Sequence, residues 1–193
     1  MSSRQELLDE IERSRAQIHQ IVDAQIDAFI LRTIIGDLSE YIQDTGAHVT
    51  PLSSAASRCK GMKPVAVVLP GGEKVEVSTW KKAAVAILRD CDADPRRHEL
   101  LMDLRGKVAG NFRQLLGQTT NEMNAPLKIN DGLYLESKFD TQALLDNLVR
   151  KVLRRTGYDC GGVAVLYRDP KQEIAITEPE PDEGPGPFTG LTM

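Results

Sequence analysis

The segment 3–45 constrains the fold more than any other part of the chain. Leu7, Ile11, Ile18, Val22, Ile26, Phe29, Thr33, Leu38 and Tyr41 recur at spacings of three, four or their sums, apart from a step of five between Thr33 and Leu38, with Glu, Asp, Arg and Gln on much of the other side. That is the pattern of one long amphipathic helix. Leu7, Ile18 and Phe29, like Ile11 and Val22, repeat at eleven residues, nearer a straight or slightly right-handed packing than a heptad seam. A helix of this length cannot bury its own stripe. The segment therefore predicts self-association through Ile11, Ile18, Val22, Ile26 and Phe29, in an antiparallel dimer or bundle, or else folding back onto its own domain. Gly36 is placed to bend the helix and Gly46 to end it as a left-handed cap.

Beyond it the punctuation changes. "AHVTPLSSAASRCKGMKP" (47–64) is small, polar and aperiodic, and reads as a linker. Strands are expected at 65–69 and 74–77, around Pro70, Gly71 and Gly72. Ser78 or Thr79 then caps a helix that starts at Trp80, with Trp80, Ala83, Ala84, Ile87, Leu88 and Cys91 on one face. Asp94 caps the next helix, with Pro95 at its first position and Gly106 at its stop. Residues 107–117 are ambiguous, with helix slightly preferred. Short strands follow at 127–129 and 133–137, about Asp131 and Gly132. Asp140 opens a helix to about Arg155 that turns Leu144, Leu145, Leu148, Val149, Val152 and Leu153 inward, and Gly157 ends it. "VAVLYRDPKQEIAIT" (163–177) predicts a hairpin turning at Asp169 and Pro170. The stretch 178–193, rich in Pro, Gly and acids, is expected to be a disordered tail.

The expected architecture is thus α+β: an oligomerisation helix over 1–46, a linker at 47–64, a small helix-rich domain with short hairpins over 65–177, and the tail. Helices, a short strand, a capped helix and a hairpin follow one another in the order of a winged helix.

Charge separates the chain more sharply than its net value of −4 indicates. Residues 1–48 hold 4 basic and 9 acidic side chains, residues 79–157 hold 14 basic and 10 acidic, and 173 onward brings five carboxylates without a Lys or Arg. The basic middle clusters at Arg96, Arg97, Arg105, Lys107 and Arg113, and again at Arg150, Lys151, Arg154 and Arg155. The second cluster lies near a helix C-terminus, where cations complement the dipole at about 0.3–1 kcal/mol each, so it needs no ligand to exist. Read functionally, Gln142, Asn147, Arg150, Lys151, Arg154, Arg155, Arg96 and Arg97 form a basic helix edge for nucleic acid or a protein partner, with Arg168 and Lys171 reaching the backbone from a wing.

Familiar enzyme chemistry finds little support. His19, His48 and His98 have no metal-ligand spacing. "PGGEK" and "CGGVA" lack the phosphate-loop and dinucleotide patterns, and no GxSxG nucleophile is present. Cys59, Cys91 and Cys160 are odd in number and unlike a disulfide or zinc framework, which points to free thiols. With neither a signal peptide nor an apolar run long enough to span a bilayer, the sequence predicts a cytoplasmic, non-enzymatic protein without cofactor, metal or membrane. A second possibility is a small anionic ligand such as a nucleotide at the start of the 140 helix, held by Lys138 and Thr141 with Tyr134 stacking. A third is an assembly adaptor docking through "FTGLTM" at its end.

Thr79-Trp80 opening a helix, "GLYLES" at Gly132 to Ser137 leading into a capped helix, and Gly157-Tyr158 at its end resemble a domain of uncharacterised bacterial and phage proteins, often preceded by a helical segment. The likeness spans 72–158. It departs where those proteins carry a basic and aromatic stretch, here only "RGKVAGNFRQ" with Phe112. The resemblance implies a compact recognition module linked to mobile elements and their conflicts with hosts, and no activity.

Overall fold

The computed structural model describes residues 38–109, 114–121 and 123–171, with 8–15, 17, 18, 21, 22 and 25 of the N-terminal segment. Those N-terminal residues are helical. Ile26, Phe29 and Gly36, on which part of the self-association reading rests, lie outside the described residues, as does the acidic tail. Leu8, Ile11, Ile18, Ile21 and Val22 are exposed, between 44% and 62%, so the N-terminal stripe finds no cover within the described chain.

The end of the segment behaves otherwise. Helix α1 (Ser39–Thr45) closes on Gly46 in the left-handed region at φ 61°, and Leu38, Tyr41 and Ile42 lie against Ala47, Ala66, Val68, Ala164 and Leu166. These last turns fold back onto a four-stranded antiparallel sheet of order β1 (His48–Pro51), β7 (Ala164–Arg168), β2 (Lys63–Val68), β3 (Lys74–Glu76). Because strand side chains alternate, Val67 and Val165 point to the opposite face. There they join the main core with helices α2 (Leu52–Arg58) and α3 (Trp80–Ala93).

The expectation of a linker at 47–64 is therefore corrected. "HVTP" is an edge strand paired along β7, and α2 sends Leu52, Ala55 and Cys59 into the core at 0% exposure. The segment is polar in composition because α2 needs only a narrow apolar stripe. At about 1.5–3 kcal/mol for a fully buried leucine, Leu52 alone is enough to pin it.

Local signals served the helices well. Thr79 caps α3 by accepting from the Lys82 N–H, Asp94 caps α4 (Pro95–Leu104) by accepting from Arg97 N–H, and Asp140 caps α5, which begins as Thr141–Asn147 and continues to Thr156, by accepting from Ala143 N–H. The face of α3 is buried as read, from Trp80 to Cys91, and Trp80 Nε1 donates to the Met62 carbonyl at 2.8 Å. The described residues of 107–117 are not the expected helix: Ala109 bridges Gln114, and Leu116–Gly117 forms β4. It edges a second antiparallel sheet of order β4, β6 (Leu133–Glu136), β5 (Pro126–Asn130). The β5–β6 turn needs Gly132, at φ 82° with an added Cβ 3.3 Å from Arg105 Nη1, which donates to the Gly132 carbonyl at 2.8 Å.

Helix α5 is regular over Thr141–Asn147, widens to a π turn over Leu148–Val152 and tightens to a 3-10 turn over Leu153–Thr156 before Gly157. Its inward residues repeat at four, and at about 100° per residue such a pattern drifts about 40° each turn on a regular helix. The wide turn takes that drift back. All six predicted residues, Leu144 to Leu153, end up in the core.

Of the hairpin expected at 163–177, the first arm is β7, and residues 172–177 of the second lie outside the described residues. β7 carries β1 on one edge and β2 on the other, leaving no edge for a returning strand. The reason is non-local: both partners precede β7 by about a hundred residues of chain.

Candidate functional site

The structure sorts the predicted basic edge into engaged and unengaged cations. Arg97 Nε donates to the Cys91 carbonyl at 3.3 Å, and its guanidinium lies over the Tyr158 ring at 5.5 Å. Arg150 pairs with Asp146 at 2.6 Å, one turn earlier on the same helix. Lys151 Nζ donates to the Ala109 carbonyl at 3.0 Å, and Arg105 holds the Gly132 turn. Lys107 pairs with Asp103. By contrast, the side chains of Arg96, Arg154 and Arg155 are exposed and make no hydrogen bond or ion pair among the described residues.

These three arginines come from two elements that meet. The first turn of α4 supplies Arg96, and the closing turn of α5 supplies Arg154 and Arg155. Arg97 ties the elements together over Tyr158, just past that closing turn. Tyr158 is itself fixed: its hydroxyl donates to Asp90 at 2.6 Å, and burial, then the Asp90 carboxylate, push its pKa upward so that it stays a donor. Below it, Cys91 Sγ and Thr156 Oγ1 are in contact at 3.4 Å. The positions of α3, α4 and the end of α5 are thus locked by a polar network, and the arginines stand on a rigid base. Beside Arg154 and Arg150, a cavity of about 250 Å³ opens between α2 and α5, floored by Leu52, Ala56, Leu145 and Val149.

Two predicted contacts do not reach this face. Asn147 is 5% exposed, buried at the end of the regular part of the helix. Gln142 is exposed, but it lines a groove with Asp140, Asp146 and Arg150, roughly 18 Å along the helix from Arg154 at 1.5 Å per residue. Asp140 and Asp146 make that end acidic in character.

The alternative ligand site is largely occupied by the protein's own acids. Asp140 already accepts from the Ala143 N–H. The Lys138 N–H donates to Glu136 Oε1 at 2.7 Å, and the same carboxylate accepts from Asn124 N–H at 2.6 Å and Ala125 N–H at 3.1 Å. Lys138 and Thr141 stay near the surface, and Tyr134 lies on the face of β6 opposite the buried Leu133 and Leu135. An incoming anion would compete with two carboxylates for these donors.

The thiols are quiet. Burial pushes Cys59 to about 12, Cys160 to about 11 and Cys91 upward. His98 Nδ1 lies 2.9 Å from Asp92, whose other oxygen accepts from Asn130. What the described surface can do chemically is hold negative charge. Sequence reasoning missed Lys63, which strand pairing sets directly opposite Arg168, and Lys82, which lines one cavity with both from the start of α3. Arg168 lies about a hundred residues beyond Lys63 in the sequence, and no local pattern joins them.

The chain matches no protein-family model, no curated protein and no solved structure, so its function is read from its own geometry. Among the described residues no helix is long and apolar enough to cross a membrane.

Proposed function

We propose that the chain is an oligomeric, non-enzymatic recognition protein of the cytoplasm that binds nucleic acid along its phosphate backbone through Arg96, Arg154 and Arg155. The observation that carries this reading is Arg96. The dipole of α5 accounts for cations at its C-terminal end, at about 0.3–1 kcal/mol each. Arg96 instead sits in the first turn of α4, the positive end, where a cation is disfavoured. Placing it exposed, on a helix that packs against the turn carrying two further unengaged arginines, makes sense against an external polyanion. The reading uses no winged-helix wing, since β7 has no free edge.

The exposed N-terminal stripe supports self-association, with a second copy of the chain covering Leu8, Ile11, Ile18, Ile21 and Val22. Oligomerisation would multiply a modest arginine face, which compensates for the small positive balance of the middle of the chain. The three free thiols suit a reducing compartment.

The test is fluorescence anisotropy of the full chain with short labelled duplexes and single strands at low salt. Saturable binding that weakens about tenfold or more in Arg154→Gln/Arg155→Gln, and again with Arg96→Gln, upholds the reading. No binding to either form overturns it and leaves an acidic protein as the partner to seek.

A further inference from the structure

Among the described residues the two sheets have four edges, and three of them are guarded. β3 carries exposed Lys74 and Glu76, charges that oppose pairing with another strand. On β4 the Gly106 N–H donates to the Leu116 carbonyl at 2.9 Å. On β5 Arg89 donates from Nε to the Ile129 carbonyl at 3.3 Å and from Nη2 to the Lys128 carbonyl at 3.5 Å. The fourth edge, β1, has no such guard: "GAHVTP" (46–51) holds no Asp, Glu, Lys or Arg.

The register says which groups that edge offers. Leu52 N–H donates to the Val163 carbonyl at 2.9 Å, and hydrogen-bonded pairs alternate along an antiparallel ladder. Thr50 opposite Val165 and His48 opposite Tyr167 therefore exchange their bonds with β7. Val49, between them, turns its N–H and carbonyl to the open side, and neither finds a partner among the described residues. Pro51, two residues on, has no N–H and would end any added ladder there.

We propose that β1 pairs with β1 of a second copy of the chain, antiparallel about Val49, so that two four-stranded sheets become one. The Val49 N–H of each copy donates to the Val49 carbonyl of the other, an isologous contact about a two-fold axis. That axis stands perpendicular to the sheet, so both copies of α1, which pack on the face that Val49 shares, come to the same side. The exposed residues Leu8, Ile11, Ile18, Ile21 and Val22 precede α1 in the sequence, and one axis then serves both contacts. The inference rests on the self-association proposed above and adds a second interface to it. A foreign peptide added to an edge is selected by pockets for its side chains. Here Thr50 and Pro51 are buried and Val49 is half-buried under the chain's own elements, so the edge offers backbone alone. A second copy, already delivered by the N-terminal stripe, needs no pocket.

Amide hydrogen exchange of the full chain, read by nuclear magnetic resonance beside light scattering, tests the pairing. The Leu52 amide, bonded within the chain, is protected both in the native protein and in Ile11→Asp/Ile18→Asp. The Val49 amide is protected in the native oligomer and exchanges about tenfold or more faster in that variant. Val49→Pro, which removes the outward donor and no bond to β7, weakens association about tenfold in sedimentation equilibrium. Val49→Ala, which keeps the donor, does not, and circular dichroism reports the fold of both; if the proline variant fails to fold, the exchange rates decide. An oligomer whose Val49 amide exchanges as fast as in the aspartate variant overturns the β1 pairing and leaves the N-terminal contact standing, whereas a monomeric native chain overturns both. A variant that stays dimeric with Val49 protected upholds the pairing and removes the stripe from it. Protection of Val49 in a monomeric variant overturns the pairing by placing a segment of the same chain on the edge, and so do equal effects of Val49→Pro and Val49→Ala.

Discussion

At the scale of single residues, Glu136 shows how the fold fixes a buried charge. It is 0% exposed, and burial by itself works to raise its pKa. The N–H groups of Lys138, Asn124, Ala125 and Ser137 outweigh that effect together and hold the carboxyl below the usual carboxylate range. A depressed folded-state pKa contributes stability that is present above the unfolded value and lost as pH falls through the folded one. Glu136→Gln, which keeps the shape but loses the charge and one acceptor, should cost about 2 kcal/mol in urea unfolding at neutral pH. Its stability should also decline less than that of the native chain as the solution is acidified below about pH 4.5. Arg97 and Asn147 teach the complementary lesson. Both look like surface contacts in the sequence, and neither is free: one reaches back to Cys91, the other is buried at the end of the regular part of α5. A residue's type suggests what it can bind, while its neighbours decide whether it is available.

At the scale of elements, legibility followed locality. Thr79, Asp94 and Asp140 announce their helices within three residues of where the cap bond forms, and the apolar spacing of α3 and α5 selects the buried face correctly. The failures share a different cause. β1 is four residues long and α2 seven, too short for a period to stand out. The place of β7 between β1 and β2 depends on pairing across most of the chain. The joining of Lys63 to Arg168 is of the same kind, visible only in register. The corrected role of α2 makes a direct prediction. Leu52→Ala should lower stability by about 2–5 kcal/mol, as for a leucine in a closed core, measured by chemical unfolding. A change within about 0.5 kcal/mol would return 47–64 to the status of a linker.

At the scale of the whole molecule, two patches of side chains on the described surface lack an internal partner: the apolar stripe near the N-terminus and the arginine face where α4 meets α5. The first predicts an oligomer. Ile11→Asp with Ile18→Asp should shift the mass seen by light scattering to that of one chain, 21.3 kDa, while the near-ultraviolet signal of Trp80 stays unchanged. The second carries the proposed function, and ionic strength is its most discriminating probe, since each neutralised phosphate of a duplex contributes about −0.9 to the slope of log affinity against log salt. The decisive measurement is that slope for the full chain on one short duplex, beside Arg96→Gln/Arg154→Gln/Arg155→Gln. Three contacts per subunit predict a slope of roughly −2.7 or steeper, collapsing toward zero in the triple variant. A flat slope, or one the triple variant leaves intact, would contradict the assignment of this face to nucleic acid.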